Sequence, residues 1–219
     1  MVYSIQSSSE SRTMSTFQHV IQTEADLRAI LGYAGDAAAN KVIPEIDDIC
    51  RAYIESSPFV LIGTSDATGR MDVSPKGDPP GFVQVMDSHT LLIPDRPGNR
   101  RGDTLTNLVQ NPHIGLLFLV PGRKETLRVN GTAQIVRDDA VRDRFSMQGK
   151  APIFVIAVTV QEAYFHCTKC MVRSHLWTDE HKNDALISLG GAIIQHAQLD
   201  ISLEEADAYL AEDEKTGLY

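Results

Sequence analysis

Between Val73 and Asn107 the chain reads VSPKGDPPGFVQVMDSHTLLIPDRPGNRRGDTLTN, and this stretch gathers the groups that hold a phosphate beside a flat ligand. Ser74 and Lys76 close a short alternating segment, while Asn99, Arg100 and Arg101 form a basic turn just ahead of a helix that Asp103 or Thr104 can open. Three features favour a phosphate: charge from Lys76 and Arg100, hydroxyls from Ser74 and Thr104, and the free N–H groups with the partial positive charge of a helix start. Between the clusters, Thr90 to Pro94 reads as a strand whose last residues can lie along a ring edge, where Pro94 has no N–H to give the sheet ladder. Taken singly, each basic residue has a plainer reading as a solvated turn or strand-end charge. Together they assign the charge recognition to Lys76 and Arg100 and the remaining hydrogen bonds to Ser74, Asn99 and Thr104. Asp95 to Gly98 shape the turn, and Arg101 faces solvent or the Asp103 carboxylate.

A second set of reactive types lies at His166-Cys-Thr-Lys-Cys170, followed by Arg173-Ser-His175 and Trp177. Thiolates and imidazoles at this spacing can reach one tetrahedral metal or form a redox pair. A structural zinc site usually shows two separated ligand pairs, however, and a redox Cys-x-x-Cys is expected near a βαβ pattern, which is missing here. The favoured reading is a helical turn that packs its thiols inward, with no metal. Trp177 is either a wall beside a ligand or a core aromatic. No Ser/His/Asp or paired-carboxylate constellation stands out, so no catalytic residue is assigned.

The elements that position these groups are mostly strands. Glu24 to Leu31 reads as a short helix capped by Thr23 and stopped by Gly32. From Pro44 to Glu55 the residues Ile46, Ile49, Cys50, Tyr53 and Ile54 recur at helical spacing as one buried stripe. Phe59 to Thr64 and Met71 to Ser74 form a hairpin about Asp66-Ala-Thr-Gly69, and Phe82 to Met86 and Thr90 to Ile93 form another about Asp87-Ser88-His89. His113 to Val120 and Leu127 to Val136 flank the Pro121-Gly122 turn, and Phe154 to Phe165 completes six or seven strands in an antiparallel barrel pattern. Thr104 to Gln110 and Asp139 to Phe145 are short inserted helices. Gly190-Gly191 interrupts any helix from Ala185 to Ala197, and Ser202-Leu-Glu-Glu205 is a capping box ahead of a terminal helix with an acidic, solvated face.

A chain of 219 residues with 42% hydrophobic content supports one sizeable core. The expected division is a tail over residues 1–22, disordered or exchanged with a partner, a barrel domain over 23–180, and a helical extension over 181–219. A net charge of −9 and a pI near 5.2 argue against a general nucleic-acid or anionic-membrane surface. Three cysteines, an odd number, fit a reducing cytoplasm better than a secreted disulfide framework. The longest apolar runs are too short to span a bilayer, and the Ser-rich start lacks the apolar centre of a signal peptide.

From about Ser56 to Trp177 the chain resembles the FMN-binding split-barrel superfamily, in the branch related to pyridoxamine 5'-phosphate oxidase. The likeness rests on Val73-Ser-Pro-Lys-Gly77, Pro94-Asp-Arg-Pro-Gly-Asn-Arg100, Asn111-Pro112 with the strand Ile114 to Val120, and His166 to Trp177. It implies an α+β fold that is mainly a six- to seven-stranded antiparallel split β-barrel, and an FMN-dependent oxidoreductase acting on a small substrate. A flavin- or haem-binding sensor or carrier is the alternative. The resemblance further implies a homodimer with FMN between subunits, which strands bearing exposed Ile, Leu and Phe also favour. The implied cofactor contacts are Val73, Ser74, Pro75, Lys76, Ile93, Pro94, Asp95, Asn99, Arg100, Thr104 and Asn107 of one subunit, with Arg128, Lys169, Arg173, Ser174 and Trp177 from the other. Pyridoxamine-phosphate oxidase itself opens the phosphate-binding strand with an arginine where Met71-Asp72 stands here, so its vitamin specificity is not transferred.

Overall fold

A computed structural model describes residues 17–181 and 188–219; the expected tail before residue 17 and the stretch 182–187 lie outside the described residues. Two compact units divide the chain, Met1–Ala39 and Asn40–Tyr219. In the first, α1 (Glu24–Leu31) is capped by Thr23, whose hydroxyl accepts the Asp26 N–H, and it stops at Gly32 with φ 74°, as the spacing predicted. A single turn, α2 (Asp36–Ala39), follows.

The second unit begins at Asn40. Asp47, rather than Pro44, starts α3 (Asp48–Ser56), its carboxylate accepting the Cys50 N–H at 2.8 Å. The preceding residues are tied to the sheet instead, since Ile43 bridges Ala163 and the Ile46 N–H donates to the Ser88 carbonyl at 2.7 Å. The buried stripe is therefore Cys50, Tyr53 and Ile54, one helical turn apart, and Ile49 is 69% exposed.

Next come β1 (Phe59–Ser65), β2 (Met71–Gly77), β3 (Gln84–Asp87), β4 (Thr90–Asp95), α4 (Asp103–Gln110), β5 (His113–Leu119) and β6 (Thr126–Val136). After α5 (Asp139–Arg142) and a 3₁₀ turn, Asp143–Phe145, comes β7 (Phe154–His166), then α6 (Lys169–Ser174), α7 (Leu189–Ala197) and α8 (Leu203–Thr216). The seven strands form one antiparallel sheet in the order β2-β1-β5-β6-β7-β4-β3, a split barrel in which the edges β2 and β3 do not pair with each other. Its concave side packs Ile62, Leu91, Ile93, Leu116, Phe118, Leu127 and Ile156 against Ile54 of α3.

Turn chemistry fixes the hairpins. The Asp66 carboxylate accepts the N–H groups of Thr68 and Arg70, and Gly69 takes φ 88°, a region closed to most side chains. Proline is confined to unladdered places: Pro75 lies on the edge strand β2, and Pro94 lies past Leu92, where β3 stops pairing. Gly190 and Gly191 do not interrupt a helix. They form the first turn of α7, capped by the Ser188 hydroxyl on the Gly191 N–H at 3.0 Å, because α7 and α8 pack too closely for a side chain. A Cβ on Gly190 would stand 2.3 Å from an Asp207 carboxylate oxygen. The capping box at Ser202 and Glu205 forms as read.

The tightest backbone approach is a bulge between β6 and β7. Asn130 faces Glu162 but Gly131 faces Val160, leaving Gln161 over, and a Cβ on Gly131 would meet the Thr159 carbonyl oxygen at 2.0 Å. Gly131→Ala is therefore expected to destabilise the protein by more than about 2 kcal/mol in denaturant unfolding. Gly35→Ala, whose Cβ meets nothing within 4 Å, is the control and should be near neutral. Equal midpoints for the two would refute this account of the bulge.

Candidate functional site

A cleft of about 740 Å³ opens where the inward face of β2 meets the turn after β4 and the start of α4. Burial alternates along β2, so Asp72, Ser74 and Lys76 face the cleft side, and Met71, Val73 and Pro75 point to the opposite, exposed side. Asp95 to Gly102 form one rim, Asp103 to Thr106 the floor of the anionic end, and Ile153 with Phe154 an apolar wall.

The rim is unusual backbone. Arg100 takes φ 60° and Gly102 φ 67°, and the Asn99 side-chain oxygen accepts the Arg101 N–H at 3.0 Å, closing a tight turn. A left-handed conformation costs a non-glycine residue about 1–2 kcal/mol, and such strain is found mostly at functional positions. Neither Asp103 nor Thr104 caps α4. Gly102 does so with no side-chain bond, because Asp103 pairs with Arg101 at 2.8 Å and the Thr104 hydroxyl donates to Asp72 at 2.8 Å. The N–H groups of Asp103, Thr104 and Leu105 consequently have no acceptor among the described residues.

The four cations differ. Lys76 donates to Asp95 at 3.0 Å, their side chains 22% and 18% exposed, and keeps two of its three N–H donors. Arg96 is spent inside the protein: its Nε donates to Asp78 at 2.6 Å, its Nη1 to the Phe145 carbonyl at 2.7 Å, and the Tyr219 ring lies 5.3 Å away. Arg101 is exposed and paired with Asp103, one of its two expected settings. Arg100 makes no hydrogen bond or ion pair with any described residue.

Of the residues singled out in the sequence, the cleft gathers Ser74, Lys76, Asp95, Asn99, Arg100 and Thr104. Ile93 is fully buried in the core and Pro94 is buried beside it. Asn107 lies beneath the cleft, its amide donating to the Thr64 hydroxyl at 3.1 Å. Asp72, Ile153 and Phe154 line the cleft without any local sequence pattern that marks them, since their roles come from tertiary contacts.

The remaining residues lie outside the cleft. Arg128 on β6 faces Tyr164 on β7, its guanidinium 4.3 Å from the ring centroid and 2.8 Å from Glu162, while its Nε is buried without a partner. The Lys41 ammonium lies 4.8 Å from the same ring and donates to the Phe165 carbonyl. Burial, with the nearby charges of Arg128 and Lys41, holds the His166 imidazole below its ordinary pKa. Lys169, Arg173 and Ser174 are exposed on α6. Trp177 is not a core aromatic: it is 40% exposed, with its indole N–H on the Arg123 carbonyl at 2.7 Å. The inward packing expected for the thiols also fails, for Cys167, just ahead of α6, and Cys170, within it, are both exposed, and α6 buries no residue.

Residues 46–167, more than half of the chain, match the family described as pyridoxamine 5'-phosphate oxidase. HupZ of Group A Streptococcus is similar at 21% identity and a TM-score of 0.47 over 55% of this chain and 93% of its own. A protein from Clostridium acetobutylicum related to general stress protein 26 of the pyridoxinephosphate oxidase family is similar at 17% and 0.41, over 52% and 83%. HutZ, the heme storage protein from Vibrio cholerae, is similar at 16% and 0.36, over 55% and 93%. A comparison with curated proteins finds no match. With the split-barrel sheet and the match over residues 46–167, the chain belongs to the pyridoxamine 5'-phosphate oxidase family.

Proposed function

We propose that this protein is an FMN-dependent oxidoreductase acting on a small substrate, a cytoplasmic homodimer with its two flavin sites between subunits. The observation that carries this reading is the convergence, on one cleft, of an Arg100 with no partner among the described residues, spare Lys76 donors and α4 N–H groups without a side-chain cap, next to an apolar wall. The donor set fits a ribityl phosphate: a dianion accepts hydrogen bonds only, and charge, amide and hydroxyl donors are all present. The three lining carboxylates oppose it less than their number suggests, because Asp72, Asp95 and Asp103 each already accept from a neighbour.

In this reading Arg100 and Lys76 bind the phosphate oxygens, the α4 N–H groups and the Ser74 hydroxyl complete the shell, and Asn99 holds the turn. Thr104 acts through its backbone N–H, its hydroxyl hydrogen being committed to Asp72. Bound flavin would supply hydride or electron-pair exchange, which the chain's own side chains do not offer. Ile153 and Phe154 exclude water from one side of the ring.

The dimer reading is supported by the outer face of the sheet. Pro75, Leu61, Leu117, Arg128 and Tyr164 stand in one cross-strand row, and Met71 and Val73 beside it are 66% and 63% exposed. A second copy is expected to cover this row, and in this reading it also contributes its Arg128 and the segment Lys169 to Trp177 to the flavin. The three free cysteines support the cytoplasmic setting. No helix among the described residues is long and apolar enough to cross a membrane.

Purified protein is expected to be yellow, with flavin absorption bands and FMN released on denaturation. A haem Soret band would favour the carrier alternative, and a colourless protein that takes up no FMN would sink the flavin reading. Arg100→Ala and Lys76→Ala should each weaken FMN about ten- to a hundredfold, the value of a charge-assisted bond, and leave the weaker binding of riboflavin unchanged. Arg101→Ala should change neither. Because removing Lys76 also bares Asp95, Lys76→Ala/Asp95→Asn should recover part of the loss. Equal weakening of FMN and riboflavin would show these residues supporting the fold instead. In sedimentation the FMN-loaded protein should run as a dimer of the 24.1 kDa chain; a monomer holding FMN tightly would refute the shared site.

A further inference from the structure

The Cys167-Thr-Lys-Cys170 turn has a property that the flavin reading does not use. Both thiols are free and exposed, and the Cys170 Sγ folds back over the preceding turn, 3.9 Å from the Cys167 carbonyl oxygen. Thr168 is the N-cap of α6, its carbonyl accepting the Val172 N–H at 3.0 Å, so Cys167 lies just ahead of the helix and Cys170 in its first turn, three residues on. Side chains three apart on a helix have Cβ atoms about 5–6 Å from each other, and a disulfide needs about 3.8 Å. Closing that gap takes a small movement of an end turn that anchors no core residue. Among the described residues no group of three or more His, Cys, Asp or Glu side chains is placed to hold a metal. The third cysteine is set apart by its environment: Cys50 is 2% exposed, and burial together with the Asp47 carboxylate pushes its thiol up to about 12.

We infer that Cys167 and Cys170 form a reversible dithiol–disulfide pair, with a low-molecular-weight disulfide as the oxidant. One thiolate attacks the small disulfide, forming a mixed disulfide and releasing one small thiol; the second cysteine then displaces the other. Two protein thiols become one disulfide, and the small disulfide is reduced to two thiols. Proximity favours the second step over a second adduct, since the resolving sulfur is held one turn away. The bond would fix the turn that opens α6 and thereby set the placing of Lys169 and Arg173. The inference stands apart from the flavin reading, because the exchange requires only the two thiols.

The test uses the whole chain equilibrated in glutathione buffers of rising disulfide content. Remaining thiols are alkylated in denaturant and intact mass is read. The expected product has lost two hydrogens, carries one alkyl group, runs as a single chain on a non-reducing gel and reverts with dithiothreitol. Cys50→Ser should keep the internal bond. Cys167→Ser and Cys170→Ser should each lose it and trap one glutathione on the cysteine that remains. Wild type carrying separate glutathione adducts on both cysteines, or a disulfide joining two chains in place of the internal one, would overturn the inference.

Discussion

The Asp95 to Gly102 turn, which holds Arg100 in left-handed backbone, is anchored from below by Arg96 inside the same turn. Arg96 and Asp78 form an ion pair whose side chains are 16% and 3% exposed. Asp78 spends its other oxygen on the Tyr219 hydroxyl at 2.8 Å, and Arg96 spends another nitrogen on the Phe145 carbonyl. A buried pair gains little over apolar packing, but losing one partner costs about 3–5 kcal/mol, because it leaves a stranded charge. The pair therefore acts less as a source of stability than as a fixed geometry. It joins the loop after β2, the turn after β4, the 3₁₀ turn before β7 and the segment after α8. The hydrogen bond to Asp78 raises the Tyr219 pKa.

A second constraint seats α4. Thr104, Asn107 and Asn111 recur at helical spacing and bond Asp72, Thr64 and Ser65 in turn, at 2.8, 3.1 and 2.9 Å. The helix thus meets the sheet edge through a polar stripe as well as through Leu108. Each such bond contributes on the order of 1 kcal/mol net, but together they set both the height and the rotation of the helix, and so the direction of its uncapped N–H groups. Core packing alone would not select that rotation.

That stripe also marks how far the fold and the site can be read from sequence. Hairpins about Asp66 to Gly69 and Pro121-Gly122, the Thr23 cap and the Ser202 box are legible because a few adjacent residues decide them. The cleft is legible where charge and turn chemistry are local, as at Asn99 and Arg100. It is not legible where a residue's partner is distant in the chain: Thr104 and Asn107 read as ligands but are committed to β2 and β1, and Arg96 read as turn-shaping without its partners Asp78 and Tyr219. Misreadings share this cause. The stripe from Ile46 to Ile54 was counted as one helix, although Ile46 is buried by its bond to the β3–β4 turn, and Gly190-Gly191 reads as a break until α8 is packed against it.

Electrostatics then sets what the cleft can select. The chain carries −9 overall, so an anion approaches against the mean field and is held only by local groups. Pairing Lys76 with Asp95 lowers its field in exchange for holding the ammonium in place. Such a partly exposed pair is worth about 0–1 kcal/mol, whereas a charge-assisted bond to phosphate is worth about 1.5–3 kcal/mol. A dianion can therefore draw the spare Lys76 donors without breaking the pair, and Asp95 works as a positioning group. Arg100 has no such partner, and strain already fixes its backbone, so its full charge is available to the ligand. In the proposed flavin reading a neutral ligand would gain nothing from either cation and would rest on the apolar wall alone, so discrimination in the cleft would come from charge.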